Sequence, residues 1–250
     1  MPRSTNPVLT RTDFGADVAG SFGTAAAAPM TLAGTVRKTL LLLAVALAGG
    51  AFAWFGLASN PALAGAAGII LLASVPVGVG LAWYTTRHPE QAHVTGPIYA
   101  AVQGFVLGAI SLFVGAEAQG IPLMAAALTV ATFVVMLTLY RTRVIVVTEK
   151  LRAVVVGATA AIMIFYLLAW VASFWNMAPP FIWGGGWIGI GFSLFVVALA
   201  AFNLVLDFDL IEEGIGRAPA MMEWAAAFGL IVTILWLYVE LLRLLRKLRR

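Results

Sequence analysis

Apolar runs of about twenty residues, each long enough to cross roughly 30 Å of hydrocarbon as a helix, follow one another along the chain between short polar breaks. They predict seven spans: about Thr39 to Ala58, Ala62 to Tyr84, Pro97 to Val114, Ile121 to Tyr140, Val154 to Trp175, Trp187 to Glu213, and Met222 to about Leu242. The breaks carry turn chemistry: Ser59-Asn60-Pro61, Arg87-His88-Pro89, Gly120 with Pro122, and Asn176, Pro179 and Pro180 with Gly184-Gly185-Gly186. Gly214 is expected to take the left-handed position that closes the sixth helix. The runs are apolar all round rather than alternating, which excludes a β-barrel. The expected fold is all-α, a polytopic membrane protein with a transmembrane domain over 37–250. Residues 1–36, rich in Ala, Gly, Ser, Thr and Pro, read as a flexible cytoplasmic tail.

Composition narrows the picture further. A chain that is 62% hydrophobic and 10% charged is not an ordinary soluble domain. With no cysteine, disulfides, thiol catalysis and thiolate metal sites are excluded. The net charge of +4 comes from Lys and Arg gathered in loops and at the C-terminus. Membrane lipid, rather than nucleic acid, is the partner this implies. Arg3, Arg11, Arg37, Lys38, Arg87, Arg141, Arg143, Lys150, Arg152 and Arg217 all fall on the N-terminal side of a seven-span trace, so that side is expected to be cytoplasmic in the cell membrane. The final run, Arg243, Arg246, Lys247, Arg249 and Arg250, then lies outside, against the same rule. Either seven full spans tolerate it there, or the last segment is re-entrant; seven full spans are preferred.

The candidate chemistry lies where the sixth apolar run ends in acid: Asn203-Leu-Val-Leu-Asp207-Phe-Asp209-Leu-Ile-Glu212-Glu213-Gly214. Asn203 and Asp207 are four apart and share a helical face, and a carboxylate at the edge of hydrocarbon points to function. Asp207 reads as a titrating gate carboxylate or as half of a salt bridge to Arg87 or Arg141, and a gate can be both. Asp209, Glu212 and Glu213 read as a solvated helix end that could draw cations to the mouth. Gln103, Gly104 and Gly108, with Ser111 one turn on, form a small-residue pattern suited to close helix packing. Glu240 has a local partner in Arg243. Trp54, Trp83, Tyr84, Tyr140, Trp175, Trp187 and Trp224 are expected at the interfaces. His88 and His93 have the wrong spacing for a helical zinc pair, and no catalytic constellation, metal site or cofactor site is visible.

Three stretches carry a family resemblance: the acidic segment above, Glu223-Trp224-Ala-Ala-Ala-Phe-Gly-Leu, and Leu-Trp236-Leu-Tyr238-Val-Glu240-Leu-Leu-Arg243-Leu-Leu. Together they resemble the Bax inhibitor-1/YccA-like (TMBIM) family. Asn6-Pro7-Val-Leu, Arg37-Lys38-Thr and Leu107-Gly108-Ala-Ile-Ser111 look like its actinobacterial-type branch. The resemblance implies six helices around a central seventh. It also implies either a pH-sensitive calcium leak, or a regulator of cell death or of a membrane-bound AAA protease. The family's sensor is a pair of aspartates on the sixth and seventh helices. Asp207 matches the first, but Thr233 stands where the second would be, and Gln103 stands where many relatives carry an acid. Two readings stay open: a leak for calcium or protons, and a non-conducting protein that binds another membrane protein.

Overall fold

The computed structural model describes residues 28–175, 177 and 186–249. The proposed tail over 1–27, its Asn6-Pro7 motif, and the turn residues Asn176, Pro179, Pro180, Gly184 and Gly185 lie outside the described residues. Among those described, seven helices are long and apolar enough to cross a membrane. They are α1 Leu32–Ser59, α2 Pro61–Arg87, α3 Ala92–Glu117, α4 Ile121–Arg141, α5 Glu149–Ser173, α6 Trp187–Gly214 and α7 Met222–Leu248, with a 3₁₀ turn at Pro89–Gln91 before α3.

Local sequence sets the ends. Thr31 caps α1 by accepting from the Gly34 amide, Asn60 caps α2 with Pro61 at its first position, and Thr148 caps α5 through the Leu151 amide. α4 starts from Gly120, which has a φ of 85°. The expectation for Gly214 is corrected. Gly214 is the last residue of α6, the helix leaves through extended Ile215, and the positive φ belongs to Gly216 at 73°. The Met30 sulfur lies 2.9 Å from where a Cβ on Gly214 would be, so the small residue serves packing there.

Residues 28–36, assigned to the tail by composition, belong to the bundle. The amide of Met30 donates to Ala218 O (2.8 Å), that of Gly216 to Met30 O (3.0 Å), and that of Ala220 to Ala28 O (2.7 Å). This short antiparallel pairing ties the start of α1 to the α6–α7 turn. Glu223 completes the tie, accepting from the Thr31 amide and hydroxyl at 2.8 and 2.9 Å and pairing with Lys38 at 2.6 Å.

α7 is the central helix. It packs against α1, α3, α4 and α6, and its span is the most buried of the seven. The tightest peripheral seam is α1 on α3. There Gly104 lies against Ala46 O and Gly108 against Gly50 O, so closely that a Cβ on either would collide with backbone. Gln103 lies against Gly78 of α2. The Ser111 and Tyr238 hydroxyls, 2.7 Å apart, join α3 to α7. α5 is the least buried span, and its backbone packs chiefly on α6.

The re-entrant alternative for the last segment is not what forms. α7 is one unbroken helix, with Glu223 beside the start of α1 and Lys247 bound to Gly189 O (3.0 Å) and Ser193 Oγ (2.9 Å) at the start of α6. The two ends of α7 therefore lie at opposite faces of the bundle. The basic run at its end is met by the protein itself: Arg243 by Glu240 (3.1 Å), Arg246 by Glu117 (2.6 Å), and Arg249 by Gln119 O (2.7 Å).

Candidate functional site

Asp207 sits on α6 about 10 Å before the helix end at 1.5 Å per residue. It opens onto a cleft of about 380 Å³ between α2, α6 and α7. Thr85, Thr86, Phe228, Gly229, Val232 and Thr233 line this cleft with it, and Pro89 marks its mouth on the face where α1 begins. Gly229 leaves room on α7, since a Cβ there would stand 3.9 Å from Asp207 Oδ1. A polar neighbour of the carboxyl is the Thr233 hydroxyl, which donates to Gly229 O at 3.3 Å within its own helix. Asp207 Oδ2 is shut off from solvent and has no hydrogen-bond partner among the described residues.

The salt bridge to Arg87 or Arg141, one of the two readings of Asp207, does not form among the described residues. Arg87 turns away and stacks on Trp83 of its own helix, 4.6 Å from the ring centre. Arg141 ends α4 and makes no ion pair with Asp207 among the described residues. Asn203, one turn from Asp207, also points elsewhere: its amide donates to Thr159 Oγ1 of α5 at 2.7 Å and to Leu199 O at 2.9 Å. The structure thus brings Asp207 and Thr233 together and leaves Asn203, Arg87 and Arg141 out of direct contact with the carboxyl.

The proposed cation-drawing mouth is also different from its expectation. Asp209 is largely buried and pairs with Arg152 at 2.7 Å; Glu213 pairs with the same guanidinium at 3.2 Å; Glu212 pairs with Arg143 at 2.7 Å. Tyr140, expected at the interface, is buried and donates to Glu212 (2.6 Å) and Asp209 (3.2 Å). These acids fasten the α4–α5 loop and the start of α5 to the end of α6, rather than standing as free charge. Each histidine ring faces a backbone carbonyl, His88 that of Tyr84 and His93 that of Glu90. No group of three metal-ligating side chains occurs among the described residues.

A second buried carboxylate carries more than a local pairing. Glu240 accepts from Arg243 at 3.1 Å on both oxygens, from Tyr166 of α5 at 3.2 Å, and from Trp236 Nε1 at 3.2 Å. The Arg243 guanidinium in turn donates to the Tyr166 hydroxyl at 2.6 Å. The signal for this cluster is heptad spacing. Arg152, Thr159 and Tyr166 recur every seven residues on α5, and Gly229, Thr233, Trp236, Glu240, Arg243 and Lys247 alternate steps of four and three on α7.

No curated protein and no solved structure matches the chain. The model of one family, described as Bax inhibitor 1 like, matches residues 6–250. With seven apolar helices, a central seventh and Asp207 facing Thr233, the chain is a multi-pass membrane protein that belongs to the Bax inhibitor 1 like family.

Proposed function

We propose that the protein is a leak pathway for small cations, calcium or protons, in the cell membrane, with its N-terminus cytoplasmic and the charge of Asp207 as its control. One observation carries the reading: Asp207 lines a cleft between α2, α6 and α7 and, just behind that wall, keeps an enclosed carboxyl oxygen with no partner among the described residues. An unpaired carboxylate among apolar groups is costly, so a fold that keeps one beside a cavity keeps a group that a proton or cation can neutralise. Among the described residues, no other charged side chain lines the cleft. α2 offers Thr85 and Thr86, α7 offers Gly229, Val232 and Thr233, and the nearest acid on α6, Asp209, is paired with Arg152. A neighbouring arginine is not part of the control, because neither candidate reaches the carboxyl.

Cation flux into dye-loaded proteoliposomes, followed from acid to neutral pH, tests the proposal. Flux that follows pH in the native protein and loses that dependence in Asp207→Asn is expected. Identical flux from the two proteins at every pH overturns it. A second reading is favoured by Thr233, which leaves the site with one carboxyl rather than two: a regulator that binds another membrane protein and conducts nothing. Native proteoliposomes no leakier than empty ones, together with capture of a stable membrane partner, would favour that alternative.

A further inference from the structure

Below the Asp207 cleft the polar groups continue. At 1.5 Å per residue, Gly229 and Asp207 lie at about the same depth from the α1 face, Asn203 and Thr159 about 5 Å deeper, and Glu240 and Tyr166 roughly 10 Å beyond those. Lys247 and Ser193 stand near the opposite face. These groups belong to facing stripes on α5, α6 and α7, so they form one seam through the bundle rather than scattered buried pairs. The seam has an apolar level at Trp236, which packs with Leu199 between the Asn203 and Glu240 levels.

Two features of the far half bear on what it does. α5 is the least buried span, and three polar contacts at heptad spacing join its inner face to α6 and α7: Arg152 to Asp209, Thr159 to Asn203, and Tyr166 to Glu240 and Arg243. The third is the only one of these three that reaches α7. Glu240 is almost fully buried, and both of its oxygens are occupied by the same three side chains that close the space between α5 and α7.

We infer that the route opening at Asp207 continues between α5, α6 and α7, and that Glu240, Arg243 and Tyr166, clamped over Trp236, are its far-side seal. The seal rests on the leak reading for its purpose, but not for its geometry. Opening it requires Tyr166 to leave Glu240 and Arg243, which frees α5 to move away from α7. The lost hydrogen bonds must then be replaced by water or by an ion entering the seam, so a seal built from charge opens to polar cargo and stays shut to hydrocarbon.

The chain has no cysteine, so single cysteines report access without further change to the background. The full-length protein in sealed vesicles carries Asn203→Cys beyond the seal, Gly229→Cys in the cleft, or Leu194→Cys on the exposed outer surface of α6. A membrane-impermeant thiol reagent is then applied from each side. With the seal intact, Asn203→Cys is expected to react slowly from the far side. Adding Tyr166→Phe, which removes one hydroxyl and keeps the ring, or Glu240→Gln should raise that rate by roughly tenfold or more, the worth of one charge-assisted hydrogen bond. Leu194→Cys should not change. An unchanged Asn203→Cys rate in both seal variants overturns the proposal, and so does an equal rise at Leu194→Cys, which marks general loosening. Gly229→Cys reacting from the near side reads the cleft separately, so a failed leak reading and a failed seal give different results.

Discussion

Two carboxyl groups are set into the packing around α7, Asp207 from α6 and Glu240 from α7 itself, and their surroundings are opposite. Glu240 has both oxygens filled by Arg243, Tyr166 and Trp236, whereas Asp207 has an oxygen with no partner and a cleft beside it. Each has an oxygen enclosed from solvent, so enclosure alone does not identify a working group. A saturated carboxylate is held by its neighbours and holds them in return; it joins α5 to α7. An unsaturated one does little for the bundle, and in the proposed leak it is the group that a proton or an ion would neutralise. The surroundings of α7 therefore hold a cross-link to α5 at one level and an unpartnered carboxyl from α6 at another.

The comparison breaks most readily at the cross-link. Removing one member of a buried, hydrogen-bonded ion pair leaves the other uncompensated, at a cost of about 3–5 kcal/mol. Arg243→Ala is accordingly expected to destabilise the protein by about that much, read as a large fall in the thermal unfolding midpoint in detergent. Asp207→Asn, which removes a carboxylate with no charged partner among the described residues, should leave the midpoint unchanged or raise it. Equal losses from the two substitutions would erase the distinction between the sites.

Next in size is a contact with no charge in it. Gly108 of α3 lies directly on the backbone of Gly50 in α1, where the neighbouring atoms are not the free end of a flexible side chain. Overpacking of this kind costs about 1–3 kcal/mol. Gly108→Ala should therefore lower the unfolding midpoint by less than Arg243→Ala and leave the reactivity of Gly229→Cys in the cleft unaltered. A larger loss than at Arg243 would mean that the small-residue seam, not the α5–α7 cross-link, is the principal support of the bundle.

Much of the fold was legible because hydrocarbon thickness and backbone hydrogen bonding constrain apolar runs so strongly. All seven helices lie where the runs predict them, although most extend beyond the runs: α1 begins at Leu32 rather than near Thr39, and α7 continues to Leu248 rather than ending near Leu242. Polar residues of the last turns remain helical because the backbone gains from continuing, and hydropathy does not register that. Asp207 stood out as an acid in an apolar stretch, and Thr233 came to it by family resemblance. What one chain of letters could not supply was pairing. Arg87 and Arg141 lie on the right face for Asp207, yet Arg87 stacks on Trp83, and it is Arg152 and Arg143 that take the acids of α6. The choice among several arginines at one face depends on loop path and helix rotation, neither of which hydropathy encodes. Spacing pairs Glu240 only with Arg243, because the third member, Tyr166, is supplied by a distant helix.

The smallest effect belongs to the near face, where the same types of side chain meet in water. Arg143 and Glu212 are 2.7 Å apart, but about half or more of each side chain is exposed, at 61% and 49%. Exposed pairs of this kind contribute about 0–1 kcal/mol, and salt screens them. Arg143→Ala should therefore shift the unfolding midpoint little, and the shift should shrink further in high salt. Tyr140, buried beneath the pair, still donates to Glu212 and keeps the carboxylate in place without the arginine. At Arg243 the loss should persist in salt, because ions do not reach a pair enclosed by Trp236 and Tyr166. If salt instead diminished both losses alike, the far cluster would be wet, and a solvated Glu240 could not seal a path.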